Sequence, residues 1–258
     1  MKTPPKIEAK IEDEFAASAR AWSPEAVYYW DSHLPRYRYF AGLLGDLGAQ
    51  QAFDRVLDIG MGFQTLLLRK LLPESQIDCL GVYHDPRFSP EGKSAFLPGD
   101  LNKLAHESGP GNLAGGYDLI VFMEVLEHLY TPPDLVLRYL SSLLSAGGVI
   151  VVTTPNAAWL KNRLKMLRGR NPFETLRANP SDMGHIREYT AAELEAAFAG
   201  TGLRKVRAER RGLYRFNNPK DKFYSWIADI THPSLRRTLV AVYRKEGLVP
   251  GPTGPVRP

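Results

Sequence analysis

Residues 55–62 read Arg-Val-Leu-Asp-Ile-Gly-Met-Gly, and this stretch decides the fold. The apolar run around Asp58 is typical of a buried strand in a parallel sheet. Gly60 and Gly62 predict a tight turn in which the backbone approaches a ligand closely. The apolar segment 65–72 then predicts a helix. A strand, a glycine turn and a helix in this order place backbone N–H groups beside a nucleotide-like ligand.

The composition indicates a globular α/β chain. Its 258 residues and 44% hydrophobic content suffice for one large domain or two small ones. The net charge of +5 is too small to argue for a nucleic-acid partner. The single cysteine, Cys79, excludes an internal disulfide and a multi-cysteine zinc site. No stretch approaches the roughly 20 apolar residues of a membrane span, and residues 1–15 lack a secretory apolar segment. A cytoplasmic setting is therefore the default expectation.

Strand patterns recur at the spacing of βαβ units. They fall at residues 55–59, 77–82, 96–97, 118–122 and 149–153. A helix is predicted at 133–144, where apolar residues share one face, and Gly147-Gly148 is expected to end it. Another helix is predicted at 191–198, because Thr190 and Glu193 form a capping box at its start. The alternating segment 203–208 predicts a further strand.

These patterns divide the chain into four parts. The predicted parts are an N-terminal helical segment at 1–52, a core at 53–212 with an insert at 157–184, a C-terminal helical cap at 213–246 and a disordered tail at 247–258. Within the cap, the apolar run from Leu235 to Tyr243 is expected to be helical. The cap would complete an acceptor pocket or pack against the second subunit of a homodimer.

Four motifs in this order resemble those of the class I S-adenosylmethionine-dependent methyltransferases. They are VLDIGMG at 56–62, the Asp100-Leu101 pair, YDLIVFMEVLEHL at 117–129 and AGGVIVVTTPN at 146–156. The HIREYT segment at 185–190 is also similar to a common continuation in this family. The resemblance implies a Rossmann-like α/β fold, with a seven-stranded, mostly parallel sheet and helices on both faces. It also implies that S-adenosyl-L-methionine lies across the carboxyl ends of the first strands.

The resemblance implies which residues hold the methionine part of the cofactor. Asp58, Gly60 and Gly62 match the first motif, which surrounds this part in the family. The family often has a third glycine at the position of Gln64. Because this chain lacks that glycine, the turn is expected to be narrower than in such members of the family. Arg36, in an aromatic N-terminal segment, is placed similarly to an arginine that pairs with the cofactor carboxylate in related enzymes.

The adenosine part of the cofactor has its own matching positions. Asp100 and Leu101 match the pair that recognises adenine, and Met123 matches a residue that lines the adenosyl pocket. In the family, the second strand normally ends in an acid that holds both ribose hydroxyls, but Tyr83 stands there in this chain. Either Tyr83 supplies one hydrogen bond to the ribose, or Asp85 reaches it from two residues later.

Acids and histidines gather after the fourth predicted strand. Glu124, Glu127 and His128 are expected to share one face of a helical turn, and His185 follows the fifth strand in a loop expected to return over the same cleft. Two carboxylates and two imidazoles suit Mg²⁺ or another divalent cation. The set is similar to those of the metal-dependent ubiquinone-biosynthesis O-methyltransferases and the small-RNA 2′-O-methyltransferases. Without metal, His128 or His185 is expected to act as general base and Glu124 to contact the cofactor or cap a helix.

The leading prediction is an S-adenosylmethionine-dependent O-methyltransferase that acts on a small hydroxylated molecule such as a sugar, a polyketide or a quinol. RNA 2′-O-methylation is an alternative, although a nucleic-acid partner is disfavoured because the sequence has no recognisable RNA-binding module or basic block. A non-catalytic binding subunit is another alternative, motivated by the departures at Gln64 and Tyr83.

The insert contains one basic amphipathic segment. Residues 157–170 place apolar side chains largely on one helical side and basic side chains largely on the other. Such a helix can make peripheral contact with an anionic membrane, or it can cover the substrate with its charged side in solvent. The second interpretation is favoured because a single short helix binds membranes weakly.

Overall fold

The computed structural model describes residues 9–106, 113–178 and 184–247. Its seven strands are β1 (Arg55–Ile59), β2 (Gln76–Gly81), β3 (Phe96–Pro98), β4 (Tyr117–Met123), β5 (Leu144–Pro155), β6 (Leu203–Arg211) and β7 (Thr238–Lys245). They form one sheet in the order β3-β2-β1-β4-β5-β7-β6. Strands β1 to β5 pair in parallel, and β7 runs antiparallel between β5 and β6. The predicted seven-stranded, mostly parallel sheet is confirmed.

Eight α-helices lie within the described residues. They are α1 (Ala9–Trp22), α2 (Pro24–Gly48), α3 (Phe63–Leu71), α4 (Leu101–Leu104), α5 (Pro133–Leu143), α6 (Leu160–Leu167), α7 (Ala191–Ala197) and α8 (Pro219–Ile230). The predicted capping box of α7 is present, because Thr190 and Glu193 satisfy each other's backbone N–H groups. None of the helices described is both long and apolar enough to cross a lipid bilayer.

The sheet is covered on both faces, as β4 illustrates. Ile120 and Phe122 pack in a hydrophobic cluster that includes residues of α5 and α7, whereas Leu119 and Val121 pack in a cluster that includes residues of α2 and α3. Successive side chains of a strand point to opposite faces, so the two clusters lie on opposite sides of the sheet. Burial on both faces explains why these strands have continuous apolar sequences.

The prediction that Gly147-Gly148 ends a helix is wrong. Helix α5 ends at Leu143, and Leu144 already pairs with Tyr117 of β4. Both glycines lie inside β5, in an irregular stretch where the register with β4 shifts, and Gly147 has φ +81°. A positive φ at a break in pairing is typical of a bulge, which bends a strand without ending it.

The prediction of a helix from Leu235 to Tyr243 is also wrong. Only a short 3₁₀ turn at Pro233–Leu235 is helical there, and Thr238–Lys245 forms β7. Residues 238–243 are all buried, because β7 lies between two strands and beneath both helical layers. The segment 213–246 therefore contributes α8 and one strand of the core sheet. The predicted tail lies outside the described residues apart from Gly247, as do residues 1–8.

Candidate active site at the carboxyl ends of the strands

The glycine turn after β1 is built as the sequence predicts. Gly60 has φ +78°, in the left-handed region that favours glycine, and its N–H donates to the Leu80 carbonyl at 2.8 Å. A Cβ on Gly60 would lie 3.3 Å from Cγ2 of Val125. Helix α3 begins at Phe63, directly after Gly62. Its first N–H groups therefore lie beside the turn, where they can bind a polar ligand.

Gln64 stabilises this turn. Its amide Nε2 donates a hydrogen bond to the Gly60 carbonyl, and its side chain is buried. Its Oε1 lies only 2.6 Å from where a Cβ on Gly62 would be. The glutamine side chain therefore occupies the space that a third glycine would leave open, and it ties the two ends of the turn together.

Asp58 is fully buried directly beneath the turn. Its Oδ2 accepts a hydrogen bond from Thr65 Oγ1 at 2.5 Å, and Thr65 Oγ1 in turn accepts from the Gly62 N–H at 3.0 Å. Burial raises the pKa of Asp58 to about 7, although the hydrogen bond from Thr65 opposes the shift. Its Oδ1 has no hydrogen-bond partner among the described residues, which leaves one acceptor for a ligand.

Arg36 and Glu124 meet beside the turn. Arg36 Nη1 lies 3.3 Å from Glu124 Oε2, and Thr153 donates to Glu124 Oε1 at 2.9 Å. Glu124 follows Met123, the last residue of β4, which is buried. Arg36 is only 3% exposed, and its Nε finds no acceptor in the described parts of the chain. An unsatisfied buried guanidinium nitrogen suits an anionic group such as the cofactor carboxylate.

One face of α2 brings further polar groups to the Arg36–Glu124 pair. Arg36 Nη2 contacts the hydroxyl of Tyr29 at 3.3 Å, and Tyr29 packs on His33 with ring centroids 4.3 Å apart. Burial and the positive charges of Arg36 and Arg237 lower the pKa of His33 far below its usual value. His33 was not among the residues predicted from the sequence, although its spacing from Tyr29 and Arg36 places all three on one helical face.

Glu127, His128 and His185 form a cluster at the end of β4. Glu127 is fully buried, accepts from Thr154 Oγ1 at 2.9 Å, and places Oε1 3.9 Å from His185 Nε2. The rings of His128 and His185 are 5.0 Å apart. One ligand atom from each of the three residues lies within 4.8 Å of the others. The predicted return of the 185–190 loop over the cleft is therefore present, held by a hydrogen bond from the Ile186 N–H to the Glu127 carbonyl.

The two histidines of the cluster are fixed through the same ring atom. His128 Nδ1 lies 2.9 Å from the Gly184 carbonyl, and His185 Nδ1 lies 3.3 Å from Glu188 Oε1. Metal-binding histidines in proteins are held in this way, with the second ring nitrogen towards the metal. Glu127 Oε1 is buried without a hydrogen-bond partner among the residues described, so these three residues fit a cation. The prediction that Glu124 joins them on one helical turn is wrong, because Glu124 precedes the 3₁₀ turn Leu126–His128 and has φ +54°. Glu124 pairs with Arg36 instead.

Charge coupling links the members of this cluster. Burial raises the pKa of Glu127 above its ordinary value, and the nearby Glu124 carboxylate raises it further. Burial lowers the pKa of His185, but the hydrogen bond with Glu188 and the charge of Glu127 outweigh this, so the net shift is upward. The cluster can therefore hold either a proton or a cation between the carboxylate and the imidazole.

The predicted adenosine-binding positions lie at the same edge of the sheet. Asp100 follows β3 and caps α4, with Oδ1 accepting from the Asn102 N–H at 3.0 Å, and Leu101 is buried. Tyr83 follows β2 and is 62% exposed. Both carboxylate oxygens of Asp85 accept hydrogen bonds from Arg87. Asp85 is thus engaged by a neighbour, and contact of Tyr83 or Asp85 with the ribose stays a prediction.

The insert borders a cavity beside the histidine cluster. This cavity has a volume of about 540 Å³ and is lined on one side by residues between Asn171 and Leu176 and on the other by residues between His185 and Glu193. Helix α6 leaves Met166 and Leu167 exposed at its end. Peripheral membrane contact through 157–170 stays a prediction, as do the homodimer and the cytoplasmic setting.

The fold is similar to those of solved methyltransferases. The N-methyltransferase NodS from Bradyrhizobium japonicum WM9, in complex with S-adenosyl-L-homocysteine, matches with a TM-score of 0.52 and 16% identity over 93% of this chain and 99% of NodS. The 1,6-didemethyltoxoflavin-N1-methyltransferase from Burkholderia thailandensis, with bound 1,6-didemethyltoxoflavin and S-adenosylhomocysteine, gives a TM-score of 0.52 and 16% identity over 92% and 88%. An S-adenosylmethionine-dependent methyltransferase from Mesorhizobium loti gives a TM-score of 0.51 and 16% identity over 78% of this chain and 96% of its own. At these identities the similarity shows the fold alone.

No curated protein matches this chain by sequence. A family model described as a methyltransferase domain matches residues 30–208, from within α2 to within β6. The match includes the glycine turn and the Glu127 cluster, and it supports an enzyme rather than a non-catalytic subunit. The cofactor is S-adenosyl-L-methionine. The narrower resemblance to the ubiquinone-biosynthesis group stays a prediction. The chain therefore belongs to the S-adenosylmethionine-dependent class I methyltransferase family.

Proposed function

We propose that this methyltransferase transfers the methyl group to a hydroxyl oxygen of a small molecule. The observation that carries the proposal is the cluster of Glu127, His128 and His185 at the carboxyl edge of the sheet. Methyl transfer is an in-line displacement and requires the acceptor atom about 3–3.5 Å from the methyl carbon. A neutral amine attacks through its lone pair, whereas a hydroxyl must also lose its proton. A group that removes this proton is thus most useful for O-methylation.

Without a metal, the imidazole of His185 is the proposed proton acceptor. Glu188 holds its Nδ1, which turns Nε2 towards the interior of the cleft, and Glu127 lies 3.9 Å from that nitrogen. The Glu127 carboxylate stabilises the imidazolium that forms when the hydroxyl proton arrives. Thr154 keeps Glu127 in place through its other oxygen. The second imidazole, His128, is the alternative acceptor.

The same three residues would hold a divalent cation. The unpartnered Glu127 Oε1 and the two histidines fixed through Nδ1 support this. Two imidazoles and one carboxylate suit a first-row transition metal better than Mg²⁺, which prefers oxygen ligands. When bound, such a cation would orient the acceptor oxygen and lower the pKa of its hydroxyl.

The test begins with calorimetry of S-adenosylhomocysteine binding and continues with matched phenol and aniline acceptors, with turnover followed as S-adenosylhomocysteine released. Glu127→Gln should lower turnover of the hydroxyl acceptor by about 100-fold with little change in cofactor affinity, because it removes the group that assists proton loss. Glu195→Gln, an exposed acid paired with Lys205, is the matched control and should change neither.

A different pattern would contradict O-methylation. Turnover confined to aniline and undisturbed by Glu127→Gln would assign the transfer to nitrogen. Absence of S-adenosylhomocysteine binding would leave any methyl-transfer function without support.

A further inference from the structure

Arg237 lies at the same edge of the sheet as the cofactor turn. It directly precedes β7, whose first residue, Thr238, pairs with Pro155 at the carboxyl end of β5. The carbonyl of Arg237 accepts a hydrogen bond from the Asn156 N–H at 2.6 Å. Because β7 is antiparallel to β5, the start of β7 lies beside the carboxyl ends of the parallel strands, where ligands bind in open α/β sheets.

Aromatic rings surround the Arg237 side chain. Its guanidinium carbon lies 4.1 Å from the ring centroid of Tyr214 and 5.5 Å from that of Phe216. Phe216 is parallel to Trp159 at 5.7 Å, and Tyr214 packs edge-on against His33 at 5.0 Å. We refer to Trp159, Tyr214, Phe216 and His33 as the aromatic recess. Of these, Tyr214 and Phe216 hold the guanidinium through cation–π contacts.

Arg237 has no acidic partner in the described ranges, unlike its neighbours in space. Arg236 lies 3.6 Å from Asp229, and Arg211 lies 2.5 Å from Glu209. Within the described chain, the guanidinium of the partly buried Arg237 makes no hydrogen bond or ion pair, and it lies against two rings. A partly buried charge without a counter-ion is unfavourable, so a charged ligand group would stabilise it.

The recess is continuous with the reaction centre. Arg36 contacts the Tyr29 hydroxyl, and Tyr29 packs on His33. His33 in turn packs against Tyr214, whose ring lies beside the Arg237 guanidinium. Arg36 already pairs with Glu124 at the end of β4. An acceptor that contacted Arg237 would therefore extend from the recess towards the cofactor side of the cleft.

We propose that Arg237 binds an anionic group of the methyl acceptor, a carboxylate or a phosphate, while the aromatic recess packs against the acceptor's ring. This proposal rests on the proposed function and narrows its substrate class to ring-bearing acids or phosphate esters. A guanidinium presents two parallel N–H donors, which match the oxygens of either group. The aromatic contacts hold this fork in one orientation, so little conformational entropy is lost on binding.

The experiment compares three probes of similar shape. Benzoate, phenyl phosphate and neutral benzamide are titrated by calorimetry into the full chain, both free and loaded with S-adenosylhomocysteine. Benzoate or phenyl phosphate should bind about tenfold or more tightly than benzamide, because a hydrogen bond to a charged group adds at least that factor. The tighter of the two anions assigns the group as carboxylate or phosphate.

Variants test whether Arg237 carries this preference. Arg237→Gln should abolish the preference for the anions, and Arg237→Lys should retain part of it, because the charge remains but the fork is lost. Arg215→Gln removes the same charge from an exposed position next to Tyr214 and should leave the preference intact. This control separates a specific contact from the general field of the surface.

Equal binding of benzamide and the anions would overturn the proposal, as would failure of all three probes to bind in the millimolar range. So would an anion preference that survives Arg237→Gln, since Arg237 would then only pack against the rings. If Arg237→Gln fails to fold, the probe comparison on the unmodified chain and on Arg237→Lys decides the question. None of these readouts uses methyl transfer, so failure of S-adenosylhomocysteine binding or turnover is seen separately.

Discussion

Arg36 and Glu124 form a nearly buried ion pair that joins the N-terminal helix α2 to the end of β4. Their closest atoms are 3.3 Å apart, and the side chains are 3% and 13% exposed. Glu124 has φ +54°, and no other non-glycine residue among those described has a positive φ. This conformation costs free energy, of order 1–3 kcal/mol for such residues. The pair thus holds the wall of the cofactor cleft in one arrangement.

Loss of one partner should destabilise the fold more than loss of both. Arg36→Met leaves the Glu124 carboxylate without its counter-ion and should lower the free energy of unfolding by about 3 kcal/mol, whereas adding Glu124→Gln should recover part of that loss. Urea unfolding of the cofactor-free chain measures both. Arg38→Met, on the same helix but with an exposed pair to Glu12, should cost less than about 1 kcal/mol. Equal losses for the two arginines would contradict this.

The two glycines of the turn should respond differently to alanine. Gly60→Ala forces a Cβ into left-handed backbone and should cost about 1–2 kcal/mol of stability and weaken S-adenosylhomocysteine binding. Gly62 has an extended backbone that accepts any residue, and its added Cβ would meet only the end of the Gln64 side chain. Adding Gln64→Ala should therefore reduce the loss of stability caused by Gly62→Ala but not the loss caused by Gly60→Ala. Urea unfolding and calorimetry check this, and relief of both variants would contradict the assignment.

Asp58 should make stability fall as pH rises through the neutral range. Burial raises its folded pKa to about 7, from 3.8 as the ordinary value, so the folded chain binds this proton more tightly than the unfolded chain. Its stabilising contribution is complete below the unfolded pKa and is lost as pH rises through the folded pKa. The asparagine of Asp58→Asn cannot titrate. Between about pH 5 and 7.5, the free energy of unfolding should therefore fall by roughly 2–4 kcal/mol less in this variant than in the unmodified chain. Urea midpoints across this range measure the difference, with Asp134→Asn, at a partly exposed acid paired with Arg138, as the control. Identical slopes for Asp58→Asn and the unmodified chain would contradict the prediction.

Substitutions at Tyr83 and Asp85 test which of the two side chains contacts the cofactor ribose. Tyr83→Asp places a carboxylate where the family has one and should tighten S-adenosylhomocysteine binding by about tenfold, because charged hydrogen bonds to two hydroxyls replace one neutral bond. Asp85→Asn should change the affinity little, since Arg87 engages this carboxylate. Calorimetry gives both values. A marked loss in Asp85→Asn would show instead that Asp85 reaches the ribose.

Metal binding can be measured without turnover. If the cluster binds a cation, Mn²⁺ should raise the melting temperature of the cofactor-free chain, because a ligand of the folded state stabilises it. His185→Gln should remove this rise, and His232→Gln, at an exposed histidine that follows α8, should keep it. Turnover should then fall with EDTA. Turnover unaffected by chelator would assign proton removal to the histidines alone.

The local features of the site could be predicted from the sequence. The run around Asp58 and the glycines after it predict a strand and a turn from residues adjacent in the chain. The meeting of Glu127 with His185 was also predictable, because carboxyl ends of parallel strands share one edge of a sheet. His33 could have been found from helical spacing. Arg237 gives no such signal, because it is one basic residue in a segment whose strand was mistaken for a helix.

The sequence by itself determined the order of strands β1 to β5, the glycine turn and the residues that gather after β4. These depend on apolar periodicity and on backbone freedom, which act over a few neighbouring residues. Only the tertiary structure decided that Thr238–Lys245 is a strand, that Arg36 pairs with Glu124 and that Arg237 lies among aromatic rings. The physical reason is that each depends on a partner distant in the chain: a continuous apolar run suits a buried strand or a buried helix, and pairing with β5 and β6 selects the strand.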